Sequence, residues 1–121
     1  MFSFQKETPI YLQLMDEIKG QIASKKLVSG EKIASIRDLA SFYAVNPNTV
    51  QRALLELERE GLISTKRASG KTVTEDTKMV QELRESLAAV KVQNFLFAME
   101  ALGYSKEEIA ALINRVVKEG K

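Results

Sequence analysis

Residues 45–54 read Val-Asn-Pro-Asn-Thr-Val-Gln-Arg-Ala-Leu, "VNPNTVQRAL". Asn46 suits a helix N-cap, and Pro47 suits the first helical position, where its missing N–H costs nothing. Val50, Ala53, Leu54 and Leu57 then recur on one face, and Gly61 fits a stop in the left-handed region. The opposite face carries Asn48, Thr49, Gln51 and Arg52, then Glu56 and Arg59. A bend, a buried stripe and an outward polar set overlap in one short stretch.

Working outward, Thr8-Pro9 reads as a helix start, with threonine as cap and proline in the first turn. Ile10, Leu14, Ile18 and Ile22, with Tyr11 and Met15 beside them, give an amphipathic helix to about residue 26. Gly20 inside it signals either close packing or a locally weak helix. Residues 1–7 read as a loose arm. Ile33-Ala34 can form a short extended piece, and Ser35-Ile36-Arg37-Asp38 has the spacing of a capping box. Ile36, Leu39, Ala40 and Tyr43 face one way on the short helix it opens. After Gly61 the period changes from helix to strand. Residues 62–66 and 71–74 are β-prone and are joined by Arg67-Ala68-Ser69-Gly70, a hairpin loop. Between Gly61 and Thr74 stand Lys66, Arg67 and Lys71 and no acid. Long helix, short helix, tight turn, polar-faced helix and basic hairpin make a winged helix-turn-helix.

The tail reads as helical. Val80, Leu83, Leu87, Val90, Asn94, Phe97 and Ala101 form a heptad-like seam, and Ala88, Val92, Phe95, Met99 and Leu102 form a second stripe. Gly103 breaks the helix, and Ser105-Lys106-Glu107-Glu108 opens a last one with Ile109, Leu112, Ile113, Val116 and Val117 on its apolar face. So short a terminal helix covers one stripe, and the other must meet the N-terminal domain or a second chain. Val80, Leu83, Leu87, Val90, Asn94 and Phe97 are therefore the candidate dimerisation residues. Asn94 at a seam position is suited to fix register, or simply stands exposed. The expected fold class is α+β, mostly helical: a winged helix-turn-helix over 1–75 followed by a C-terminal helical hairpin over 76–121.

Composition excludes more than it includes. A chain of 121 residues with 45% hydrophobic and 28% charged residues is that of an ordinary globular domain. No apolar run approaches the roughly 20 residues of a membrane span, and the N-terminus lacks a signal-peptide pattern. Without cysteine there is no disulfide framework, so the expected location is cytoplasmic. Without histidine or cysteine the usual zinc sites, Ser-His-Asp triads and Cys-His dyads are unavailable, so neither an enzyme nor a metal or other cofactor is expected. The net charge of +2 is too small to argue for nucleic acid by itself. Any case for DNA must be local.

A helix-turn-helix lays its second helix in the major groove with the N-terminal residues at the base edges. Asn48, Thr49, Gln51 and Arg52 occupy that position. Asn and Gln pair with adenine, Arg with guanine or phosphate, and the Thr methyl with thymine. Arg37 starts the preceding helix and is suited to a phosphate, unless it pairs with Glu31 or Asp38. Lys66, Arg67 and Lys71 would follow the flanking backbone, with Lys32 a weaker candidate. Turn chemistry alone accounts for Asn46 and Pro47.

Thr8-Pro9-Ile10-Tyr11-Leu12-Gln13, Ser35-Ile36-Arg37-Asp38-Leu39-Ala40, residues 45–63 and the basic hairpin together resemble the winged helix-turn-helix of the GntR family of bacterial transcription regulators. The resemblance covers about residues 8–75. It implies a homodimer on a palindromic or near-palindromic operator in double-stranded DNA. It also implies contacts from Arg37, Asn46, Asn48, Thr49 and Gln51, and from the wing, here Lys66, Arg67, Ser69, Gly70 and Lys71. Three positions depart from the family pattern. Ala34 stands where proline is frequent. Arg67-Ala68-Ser69-Gly70-Lys71-Thr72-Val73 replaces Arg-Gly-x-Gly-Thr-Phe-Val, so Ala68 is expected to hold the tip slightly off the minor groove. Gln51 stands where many members have arginine, which shifts the expected base preference. The tail is too short for the large effector-binding domains of most members and resembles the YtrA-type subgroup, whose tail serves dimerisation and whose operons often encode ABC transporters. The expectation is a dimeric repressor. Two other readings stand beside it: a protein-interaction module whose tail takes a partner helix, and a small-molecule sensor. No residue names an effector.

Overall fold

The computed structural model describes residues 2–121, ordered as α1 (Ile10–Ala23), α2 (Ile36–Tyr43), α3 (Pro47–Arg59), β1 (Ile63–Lys66), β2 (Gly70–Val73), α4 (Thr77–Ala101) and α5 (Lys106–Glu119). This is the expected mostly helical α+β order, with a single antiparallel hairpin between α3 and α4.

Local caps set most of the helix boundaries. The Ser35 hydroxyl accepts from the Asp38 N–H at 3.0 Å and starts α2. Ala44 turns the chain in the left-handed region (φ 55°), and the Asn46 carbonyl oxygen of the side chain accepts from the Asn48 N–H at 2.7 Å to start α3 with Pro47 in its first turn. Ser105 and Glu108 complete a reciprocal capping box on α5.

The start of α1 differs from expectation. Its N-cap is Pro9, with no side-chain cap, so Thr8 does not play that role. The Thr8 carbonyl instead accepts from the Gln13 side chain at 2.7 Å, and Gln13 also exchanges hydrogen bonds with the Gln5 backbone at 2.7 and 2.8 Å. Phe4 packs against the core, and the Phe2 and Phe4 rings approach each other and Tyr43 edge-on. At Phe2, Phe4 and Gln5 the arm is tied down, not loose, and its first residue lies outside the described ones. At its other end α1 stops at Ala23, short of residue 26, and Lys25 takes a positive φ of 66° in the turn that follows. No atom lies within 4 Å of where a Gly20 side chain would begin, so close packing does not explain that glycine.

The core joins Leu14, Ile18 and Ile22 of α1 to Val50, Leu54 and Leu57 of α3, with Leu62, Ile63 and Val73 of the hairpin region. The segment before α2 adds a third, irregular edge to the hairpin. Lys32 bridges Thr72, the Ile33 N–H donates to the Lys71 carbonyl at 2.8 Å, and the Val73 N–H donates to the Glu31 carbonyl at 2.9 Å.

The chain forms two compact units, one up to Arg84 and one over Glu85–Lys121, and the division falls inside α4. Asp76 begins this helix by accepting from the Met79 N–H, while its own N–H donates to the Thr74 hydroxyl. That tight entry carries Val80 into the core of the first unit and packs Leu83 against it. These two seam residues are therefore occupied by their own domain, and of the candidate dimerisation residues only Leu87, Val90, Asn94 and Phe97 lie beyond it. In the second unit Ile109 is buried, Leu87 is half-buried, and Val90, Asn94 and Phe97 are exposed. Phe95 and Met99 of α4 line an apolar groove with Leu112, Ile113, Val116 and Val117 of α5. Among the described residues no helix is long and apolar enough to cross a membrane.

Candidate nucleic-acid interface

The turn between α2 and α3 is closed by the backbone. The Val45 N–H reaches back to the Ala40 carbonyl at 3.0 Å, so the left-handed Ala44 caps α2 while the chain reverses. Val50, Ala53, Leu54 and Leu57 are at most 1% exposed and fix the rotation of α3 about its axis. That rotation leaves Asn48 and Gln51 exposed and Thr49 half-buried beside them. Among the described residues, the side chains of Asn48, Thr49 and Gln51 have no hydrogen-bond partner. Arg37, exposed in the first turn of α2, also has none, and it pairs with neither Glu31 nor Asp38.

Two of the expected contacts from the α3 region have structural work inside the fold. Asn46 uses its side-chain oxygen as the cap of α3. Arg52 lies over the Tyr11 ring of α1, its guanidinium carbon 3.8 Å from the ring centroid, and donates from Nη2 to the Tyr11 hydroxyl at 3.3 Å. Nothing in the local sequence announces that pairing, which spans 41 positions.

The hairpin pairs Lys66 with Gly70, leaving Arg67, Ala68 and Ser69 as its loop. Gly70 has a φ of +76°, a conformation glycine adopts freely. Lys66 and Arg67 are exposed and unpaired among the described residues, and Ser69 is exposed between them and the strand. Lys71 is different. Its ammonium meets Glu58 of α3 at 3.1 Å and donates to the Thr65 hydroxyl at 3.0 Å, and Thr65 donates to Glu58 at 2.8 Å. The hydrogen bonds from Thr65 and then Lys71 hold the Glu58 carboxyl below its ordinary range. This triangle braces the hairpin against α3, and the Lys71 charge is matched within the fold. Lys32, the weaker candidate, lies beside the tip, with its Cε 3.7 Å from where a Gly70 side chain would begin.

The C-terminal half of α3 is tied in the same manner. Glu56 pairs with Arg59 at 2.7 Å, and Glu60, just past the helix, pairs with Lys19 of α1 at 2.9 Å. Among the described residues, the α3 N-terminal half, the start of α2 and the hairpin tip thus carry the unpartnered cations Arg37, Lys66 and Arg67, with the Asp38 carboxylate beside Arg37 also unpaired. A helix N-terminus with adjoining cations attracts phosphate oxygens, and unpaired amide side chains suit base edges.

Comparison with known proteins bears on this arrangement. The family described as bacterial regulatory proteins, gntR family, matches residues 10–73. An uncharacterized HTH-type transcriptional regulator of Bacillus subtilis (strain 168), YhcF, is 38% identical over 117 residues, covering 97% of each chain. The HTH-type transcriptional repressor YtrA of the same organism is 31% identical over 121 residues, covering 97% of this chain and 93% of that one. Among solved structures, a GntR family transcriptional regulator from Listeria monocytogenes is similar with a TM-score of 0.83 at 38% identity, covering 93% of this chain and 99% of that chain. The AraR DNA-binding domain in complex with operator ORX1 is similar over 61% of this chain and 93% of its own, with a TM-score of 0.54 at 26% identity.

Proposed function

Since the chain belongs to the GntR family of bacterial regulatory proteins and is a DNA-binding transcriptional regulator, we propose that it acts as a homodimeric repressor on a near-palindromic operator. Each subunit lays the N-terminal half of α3 in a major groove. Asn48, Thr49 and Gln51 meet base edges, Arg37 meets a phosphate, and Lys66, Arg67, Ser69 and Gly70 follow the flanking backbone. The observation that carries this reading is that Arg37, Asn48, Gln51, Lys66 and Arg67, on one helix-turn-helix and its hairpin, have no side-chain partner among the described residues, while Glu58 with Lys71 and Glu56 with Arg59 are paired. Asn46 supports the interface from within as the cap, and Lys71 as the brace.

The exposed apolar residues of the second unit support the dimer. Phe97 and Val117 are each 77% exposed, more apolar surface than one copy covers. Leu87, Val90 and Phe97, with Asn94 among them, are the residues we assign to that contact. Repression is taken from the likeness to the repressor YtrA, aligned over nearly the full length of both chains. The likeness to YtrA proteins over nearly the full length of each chain supports an ABC-transporter operon as the proposed target, with the cytoplasm as the site of action.

Selecting bound sequences from a random duplex pool tests the proposal. The expected outcome is an inverted repeat whose half-sites lie about one helical turn (roughly 34–36 Å) apart or a multiple of it. Enrichment of a lone half-site would overturn the homodimeric reading, and no enrichment would overturn sequence-specific recognition.

A further inference from the structure

Among the polar residues on the outward side of α3, Arg52 alone is held by another helix. It stands four positions after Asn48, so it shares that residue's face of the helix. Its guanidinium lies 3.8 Å over the Tyr11 ring and donates to the Tyr11 hydroxyl at 3.3 Å. Tyr11 is half-buried and packs against the core from the first turn of α1. That turn is itself anchored, because Gln13 ties the Gln5 backbone and the Thr8 carbonyl to it. The pose of Arg52 is thus set by a half-buried ring on an anchored turn.

We infer that Tyr11 is a positioning residue for DNA binding: it presets the Arg52 guanidinium so that Arg52 can select a base pair from a helix end it would otherwise leave by rotation. The inference rests on the reading of α3 as the groove helix. The ring takes the guanidinium carbon and one Nη2 donor, which leaves the remaining N–H donors available for a guanine edge. A free arginine has many rotamers to lose on binding, and a stacked one has already lost them. Lysine could sit over the ring but has no planar fork to aim, so the device requires arginine. If the pairing served folding alone, removing the ring would leave base discrimination untouched. If it sequestered Arg52, removing the ring would tighten binding.

The test compares Tyr11→Phe, Tyr11→Leu, Arg52→Ala and the Tyr11→Leu/Arg52→Ala double variant on the selected operator and on duplexes carrying single base-pair changes. Tyr11→Phe, which keeps the ring, should retain discrimination within about twofold. Tyr11→Leu should weaken operator binding roughly three- to tenfold and lose discrimination at the same base pair as Arg52→Ala. The double variant should be no weaker than Arg52→Ala. Multiplying effects, uniform weakening on all duplexes, or tighter binding by Tyr11→Leu would each overturn the inference. A second measurement needs no variant. The Arg52 side-chain N–H resonance of the wild-type chain should be displaced by the ring current both free and on the operator, and its return to the free-arginine position in the complex would overturn the inference even if Tyr11→Leu fails to fold. If the wild type selects a repeat and Arg52→Ala keeps full discrimination, this inference fails while the groove assignment of α3 stands. If the wild type selects no sequence, both fail.

Discussion

In the first compact unit Leu14, Ile18, Leu54, Leu57 and Ile63 are each at most 2% exposed, whereas in the second only Ile109 is buried and Leu102, Phe97 and Val117 stand 74–77% exposed. The first unit encloses these core residues, although Phe42 stands 79% exposed, and among the described residues it leaves Arg37, Asn48, Gln51, Lys66 and Arg67 without side-chain partners. The second leaves apolar groups uncovered. Unpartnered polar side chains suit a ligand that supplies hydrogen bonds and charge, and uncovered apolar ones suit another apolar surface. One chain thus carries openings of different chemistry, which supports the proposed division between holding DNA with one part and a second copy with the other.

The sharpest way to break the contrast is to damage the closed core. Leu54→Ala should cost about 2–5 kcal/mol of unfolding free energy, read in a denaturant melt, because Leu54 is fully enclosed among Leu14, Ile18 and the hairpin residues. A loss below about 1 kcal/mol would mean the first unit is looser than its burial implies.

The second unit should respond in the opposite sense. Phe97→Glu removes an exposed side chain, so the fold should persist while self-association is lost, with sedimentation moving from dimer to monomer at micromolar concentration. An unchanged dimer would exclude this face from the contact, and a monomeric wild type would turn the groove of Phe95, Met99, Leu112 and Val116 toward a different partner helix.

The smallest effect concerns the brace between α3 and the hairpin. The Glu58 carboxyl is lower in the folded chain than in the unfolded one, where a glutamate titrates near about 4.3. Its contribution is therefore present above about pH 4.3 and is lost as pH falls through the lower folded value. Glu58→Gln should lower stability near neutral pH by about 0.5 kcal/mol, and the gap from wild type should close on acidification. A gap that widens in acid would contradict the assigned brace.

What was legible in the sequence was local. Ser35, Asn46 with Pro47, Gly61 and Ser105 each act within a few residues of themselves, and the hairpin follows from a change of period and a glycine. What was not legible depends on partners far along the chain. Thr8 has the chemistry of a cap, but Gln13 takes its carbonyl and Pro9 occupies the capping position. Arg52 and Lys71 look like free cations until the fold brings Tyr11 and Glu58 to them. Val80 and Leu83 fit a continuous heptad seam, yet the tight turn at Asp76 delivers them to the core of the first unit. Phe2 and Phe4 carry no periodicity at all, and only the edge-on packing with Tyr43 gives the arm its place. Periodicity reports which residues seek burial but not which surface buries them.

The most direct measurement is the stoichiometry and salt dependence of binding to a duplex bearing the selected repeat, followed by sedimentation while the salt is raised from about 50 to 200 mM. A dimer reading two half-sites should bind as two chains per duplex in a single step, with affinity falling steeply as salt rises. One chain per duplex, or an affinity indifferent to salt, would contradict it.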